Sequence, residues 1–263
     1  MSFSLHVRHE VTPDRTWAVL QAIGNDESID HVIQSDRQLA RLRQLGLLAG
    51  QGLAPLGEQI LATCLTKPDL WGDLTHYLHY ILWNIEPEPI SGFSWTYQKF
   101  TDEVWTLGEF DLSVELKEAV ATTLINLAEV DAKIDVEALS KNAVSLSRDS
   151  ISGVITWLKS LVPPVFENDH FTRRSFCHPE LLLLATGHVA QTSEVELGID
   201  MLLTPPRREA ICRLCVLDPA ALDRALDWMI PAYPAVVVPG TSSSTYGRFL
   251  RLHKWPSFAD LAR

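Results

Sequence analysis

Cysteine, methionine and long apolar runs are all scarce in this chain. Four cysteines in 263 residues, Cys64, Cys177, Cys212 and Cys215, give no disulfide framework for a secreted fold of this size, so a cytoplasmic, reducing setting is expected. The longest strongly apolar stretch, LLLLATG from Leu181, falls far short of the roughly 20 residues that span a bilayer. The opening MSFSLHVRHE lacks the basic start and apolar run of a secretion signal. No membrane association is expected. Positive charge is also thin, with 22 Lys and Arg against 33 Asp and Glu and a formal net charge of -11. The deficit is uneven. Residues 61–140 carry four basic and fourteen acidic groups, whereas residues 201–263 carry eight and five. Attraction to a polyanion would have to be local, at the ends of the chain, while the acidic middle would repel it or draw a basic protein.

Signatures of catalysis are missing too. The glycine pairs in GQG and PGTSSSTYG lack the spacing and the lysine of a phosphate loop. No G-x-S-x-G elbow and no H-E-x-x-H pair occurs, and there is no strand–loop–helix alternation for a nucleotide. Cys212 and Cys215 form a C-x-x-C, CRLC. A redox pair needs a helix start after a strand, where a thiolate is stabilised. Here the two alternate with apolar Ile211, Leu214 and Val216 inside a helical pattern, which suits buried thiols. His76 and His79 have no partner at metal spacing and read as packing or surface groups. Fourteen carboxylates in the middle segment produce pairs such as Glu115 and Glu118 by chance, and none singles out a nuclease cluster. No catalytic residue, cofactor or metal is assigned.

What is present is helix after helix. With 46% hydrophobic residues, the chain has ample material for a core, and the pattern is mainly α (α+β) in three segments: 1–65, 66–165 and 166–263. In the first, Thr12 and Pro13 start a helix that carries Trp17, Val19, Leu20 and Ile23 and stops at Gly24. IDHVIQ is a short second helix or an extended piece. Ser35 or Asp36 caps a third helix, with Leu39, Leu42 and Leu45 as its inward stripe. Gly46 ends it, and Leu47, Leu48 and Leu53 flank a Gly50-Gln51-Gly52 hairpin tip. Three helices and a two-stranded wing make a winged helix-turn-helix. On that reading the third helix exposes Arg37, Gln38, Arg41, Arg43 and Gln44, residue types that suit phosphates and base edges.

The middle segment holds one or two helices over 57–84, an interruption at PEPISG, and an aromatic run Phe93, Trp95, Tyr97 and Phe100 on a short helix. A helix capped by Ser113 follows, with Leu116, Val120, Leu124 and Leu127 as its stripe, then helices from about Val136 and Ser150 up to Pro163-Pro164. The third segment has helices begun by Pro179, Pro205 and Pro219 and a final hairpin around GTSSST. This repeats the order of the first segment, with Arg248, Arg251 and Lys254 beside His253 in the wing. Those cations suit a phosphate backbone, or the protection of an exposed sheet edge.

The stretches FSLHVRHEVTPDRTWAVLQAI, LGLLAGQGLAPLGEQIL and PDLWGDLTHYLHYILWNI, and more weakly WTYQKF, resemble a prokaryotic family, domain-of-unknown-function family 4007. His9-Glu10, Gly46, Leu53, Pro55-Leu56-Gly57 and Trp71 carry the match, which spans roughly residues 3–100 and fades by about 180. The middle motif has fewer aromatics than members have, and the last eighty residues match nothing in the family. The resemblance implies an accessory or regulatory role in genome-defence islands near DNA phosphorothioation genes, with no catalytic residues to carry over.

Together these readings predict a double-stranded-DNA-binding accessory protein of a defence or DNA-modification system. Arg37, Gln38, Arg41, Arg43, Gln44, Arg248, Arg251 and Lys254 would be its contacts, and its partners DNA and another defence protein or a second copy of itself. The alternative is a non-enzymatic scaffold that uses winged modules to recruit a partner enzyme. An enzyme would need a convergent polar pocket that the sequence does not reveal.

Overall fold

A computed structural model describes residues 11–85, 92–131, 148–243 and 247–261. These are mainly helical, with small antiparallel sheets. No helix among them is long and apolar enough to cross a membrane. The chain forms two compact units, Met1–Thr172 and Arg173–Arg263. The first two of the three expected segments fall together in the first unit.

That unit opens with α1, Pro13–Gly24, whose missing N–H at Pro13 costs nothing in the first turn. Thr12 sits extended at the cap position, yet its side chain makes no capping bond; its carbonyl instead accepts from the Thr16 hydroxyl at 2.8 Å. The second helix expected at 29–34 is only a turn, closed by the Ile33 N–H on the Ile29 carbonyl at 2.8 Å. Helix α2, Asp36–Gln44, has a full capping box, in which the Ser35 side chain accepts backbone N–H and Gln38 reaches back to the Ser35 N–H. Gly46, at φ +72°, ends it. The hairpin of β1 (Leu48–Ala49) and β2 (Gly52–Leu53) follows, with Leu48 opposite Leu53. Then come α3 (Pro55–Thr66), α4 (Leu70–Ile85) and α5 (Gly92–Leu107). The aromatics from Phe93 to Phe100 therefore lie on a sixteen-residue helix rather than a short one.

Strand β3 (Phe110–Asp111), α6 (Val114–Asp131), α7 (Arg148–Leu158), β4 (Phe166–Glu167) and β5 (His170–Phe171) complete the unit. The helix expected from about Val136 and the PEPIS interruption lie outside the described residues, as do residues 1–10. Ser113 accepts from the Leu116 N–H, as a cap should. On α6 Val120 and Leu124 are buried while Leu127 is 36% exposed, so the stripe faces inward only over its middle. Trp95, Trp157, Tyr97, Phe93 and Phe100 are the largest fully buried side chains. Two indoles fasten the beginning of the unit to helices far along the chain. Trp71 donates to the Pro13 carbonyl and Trp157 to the Val11 carbonyl, each at 3.0 Å.

The second unit runs α8 (Pro179–Thr192), β6 (Asp200–Leu202), α9 (Pro205–Cys215), α10 (Leu222–Ala232), β7 (Val237–Thr241) and β8 (Arg248–Leu252). The sheet order is β6-β8-β7, all antiparallel. Leu181 to Leu184 are buried on every side of α8, and Cys177, Cys212 and Cys215 are buried too. Strand β6 is absent from the sequence reading, because three residues with Met201 inward carry too little alternation to register.

Gly72 marks the closest approach of α4 to the end of α7. A Cβ there would stand 1.9 Å from the Ser160 carbonyl oxygen, a backbone atom that cannot swing aside. Gly72→Ala is expected to destabilise the first unit by about 3 kcal/mol. Urea denaturation followed by tryptophan fluorescence measures this, and a loss under about 0.5 kcal/mol would contradict the close packing.

Candidate partner-binding surfaces

Helix α2 does not present the face expected of it. Gln38 is fully buried and Arg41 only 9% exposed, packed inward with Leu42 and Leu45. Positions 38, 41, 42 and 45 follow helical periodicity, so burying the two leucines carries Gln38 and Arg41 in with them. The expectation that both are exposed is thus corrected. Gln38 uses its carbonyl oxygen in the capping box. The Arg41 guanidinium lies 3.5 Å from the Phe93 ring centroid, a cation–π contact that offsets part of the desolvation. Burial lowers its pKa to about 9, which still leaves it charged near neutrality. Arg37 is half-buried, and Arg43 and Gln44 are exposed. Arg43 donates to the Gly50 carbonyl at 3.2 Å, which ties α2 to the hairpin tip. Beside them opens a cleft of about 510 Å³ lined by Ile23, Ile29, Leu39 and Leu48 together with Asp26, Glu27 and Arg43.

In the second unit each expected cation has a carboxylate. Arg248 bonds Asp227 at 2.8 Å and lies 3.5 Å from Asp223. Arg251 bonds Asp200 at 2.8 Å, and Lys254 is paired with Asp260. Pairs this open contribute only about 0–1 kcal/mol, so a phosphate could displace a partner. The displaced carboxylate would nevertheless remain beside the phosphate and repel it. Asp223 is held below the usual carboxylate range chiefly by a two-pronged bond from Arg208, at 2.7 and 3.1 Å.

Helix α10 supplies a surface that the sequence reading did not assign. Leu222, Ala225, Leu226 and Met229 face the core, which turns Asp223, Arg224, Asp227 and Trp228 outward. Trp228 is 54% exposed. Its ring lies 5.5 Å from that of Phe176, which in turn lies 5.7 Å from His178. Arg224 donates to the Ser175 carbonyl at 2.9 Å, bringing a guanidinium to the same edge. The spacing of the inward residues was enough to find this face in the sequence.

Beneath α2 lies a polar cluster inside the first unit. His76 shares a 2.7 Å hydrogen bond with the Tyr97 hydroxyl. His79 is fully buried, with the rings of Trp157, Phe93 and Tyr97 at 4.5, 4.6 and 5.1 Å. Neither of its nitrogens has a hydrogen-bond partner. Tyr80 donates to Asp102 at 2.5 Å. Both histidines are packing groups here, and no set of three His, Cys, Asp or Glu among the described residues has metal-binding geometry. Cys212 sits at about 12 and Cys215 well above its ordinary value, both through burial, which leaves the C-x-x-C thiols protonated.

No family model, curated protein or solved structure matches the chain.

Burial pushes the His79 pKa well down, helped by the charge of Arg41 and by His76. The unfolded chain therefore binds a proton that the folded one refuses, so stability falls as pH drops below the ordinary histidine value of about 6.5. His79→Phe keeps a ring and removes that titration. Thermal unfolding at a series of pH values is expected to show a shallower acid decline in the variant. An unchanged acid limb would mean His79 contributes nothing to it.

Proposed function

We propose that the chain is a non-enzymatic accessory protein that holds a protein partner through winged-helix-like units, in the defence or DNA-modification setting that its resemblance to family 4007 implies. The outer face of α10 carries this reading. In residues 173–263 the order helix, strand, helix, helix, strand, strand, with the first strand paired to the last, is the order of a winged helix. The last helix of such a trio is the element that enters a DNA groove. Here that helix is α10, and it presents Asp223, Asp227 and the exposed Trp228 instead of a basic row. Those two carboxylates are bonded to Arg208 and Arg248, so the helix offers a phosphate backbone no row of available cations. A tryptophan beside arginine and half-exposed Phe176 has the composition of a protein-binding anchor. The cleft beside α2 likewise combines apolar side chains with charged ones, Asp26, Glu27 and Arg43. A partner segment with an apolar side chain fits both.

A photoreactive amino acid at position 224, introduced in the native host, tests this. A protease-sensitive adduct is expected, and adding Trp228→Ala should lower its yield more than about tenfold. A nuclease-sensitive adduct, no adduct, or a yield indifferent to Trp228→Ala would each overturn the reading.

Direct binding of double-stranded DNA is the second reading, favoured by the exposure of Arg43 and Gln44 beside the hairpin tip. On the protein-holding reading, fluorescence anisotropy with a labelled duplex shows no saturable binding at about 0.15 M salt. Salt-sensitive binding that disappears with Arg37→Ala and Arg43→Ala would reverse the order of the two.

A further inference from the structure

We propose that His170 is the centre of a proton-operated clasp, closed while its ring is protonated, that fastens the connection between α5 and α6 to the β4–β5 hairpin. The clasp is independent of the partner surfaces above.

The backbone brings its groups together. Asn168 and Asp169 both have positive φ, 48° and 62°, as the central residues of a tight two-residue hairpin turn do. The turn sets Glu167 opposite His170 and Phe166 opposite Phe171. On its other side β5 pairs with β3, which puts Phe110 opposite Phe171 and Asp111 opposite His170. Side chains alternate along a strand, so the three phenylalanines share one face and the polar residues the other. The Phe171 ring lies 5.1 Å from those of Phe110 and Phe166. On the opposite face the His170 ring spans two carboxylates, with Nδ1 2.8 Å from Asp111 and Nε2 3.1 Å from Glu109. These two acids flank Phe110, so one ring holds β3 at two points.

That geometry fixes the proton count. An ionised carboxylate only accepts, and a neutral imidazole carries one N–H and one lone pair. Contacts from both nitrogens to two carboxylates therefore require the imidazolium, which donates twice. Loss of its proton leaves one lone pair facing an anionic oxygen, and the longer bond, to Glu109, is the one that opens. Of the other charges near the ring, Glu167 stands opposite on β4, and Asp169 in the turn is paired with Lys159 of α7 at 3.4 Å. The hydrogen bond to Asp111, followed by that to Glu109, holds the His170 pKa above its ordinary value of 6.5 against a smaller opposing effect of desolvation. The clasp is thus complete below the ordinary value and is lost as pH rises through the raised one, the reverse of His79. Exposed pairs add little to global stability, so the effect is local. Strand β3 has only two residues, and the Leu112 N–H that follows it bonds the Asp169 carbonyl at 2.8 Å.

The test follows the full-length chain by NMR as pH is raised. The His170 ring is expected to lose its proton above the ordinary histidine value. Hydrogen-exchange protection of the Leu112 amide, corrected for the intrinsic rate, should fall about two- to fivefold through the same midpoint. Asp111→Asn should bring that midpoint down. His170→Arg, which keeps a charge and several donors, should hold the protection constant with pH. The ring and both carboxylates reach solvent, so these variants probe the clasp and not the core. A wild-type ring that titrates at or below the ordinary value, Leu112 protection that does not follow the ring, or an unchanged pH profile in His170→Gln would overturn the assignment.

Discussion

The burial of one guanidinium constrains the whole first unit. Arg41 lies against Phe93, and to place it there α2 must turn its 38/41/42/45 face inward. That orientation leaves Arg43 and Gln44 outside, beside the hairpin, and sets the cleft between Leu39 and Leu48. It also fixes what lies opposite. A buried cation is tolerable only when aromatic faces and hydrogen-bonding groups replace its water. The unit supplies them in the ring cluster of α4, α5 and α7, with His79 between Phe93 and Trp157. The indole bonds from Trp71 and Trp157 to the carbonyls of Pro13 and Val11 then hold the start of α1 against that cluster. A helix that looks like a reading element is thus part of the core.

The second unit distributes charge differently. Its cations are exposed, but Arg248 faces Asp223 and Asp227, Arg251 faces Asp200 and Lys254 faces Asp260. A hairpin whose cations are answered on its own unit projects a weak field, although residues 201–263 are net basic by count. Charge count and potential separate because the partners are local and an exposed pair is screened within about 8–10 Å. What remains uncompensated on α10 is apolar, the half-exposed Trp228.

Much of this was legible in the sequence. The proline-started helices at Pro179 and Pro205, the Ser113 cap, the Gly46 stop and the buried leucine run are local signals, and local signals survive tertiary packing. The capping box at Ser35 was visible in part, but its consequence was not. Periodicity places Gln38 and Arg41 beside the leucine stripe, yet polarity argued for solvent, and only the rings brought from α5 and α7 reverse that argument. Strand β6 was missed because its pairing with β8 joins residues some fifty positions apart, and no local pattern reports such a pairing. The carboxylates answering Arg248 and Arg251 come from α10 and β6, again across the fold. Composition could therefore locate cations but not say whether they were free.

These differences bear on function through a single comparison of magnitudes. Binding to duplex DNA draws on the release of counterions, one for each phosphate neutralised, so it scales with the number of available cations. Of the six cations assigned to DNA, Arg41 is withdrawn into the core and Arg43 is bonded to the hairpin. Three more are answered by carboxylates, and Arg37 is half-buried. Protein docking needs no such sum. A few desolvated anchors dominate an interface, tryptophan and arginine foremost, while charged rims mainly set orientation and partner choice. The paired charges around α10 and its exposed Trp228 are why the proposal favours a protein partner over a nucleic acid.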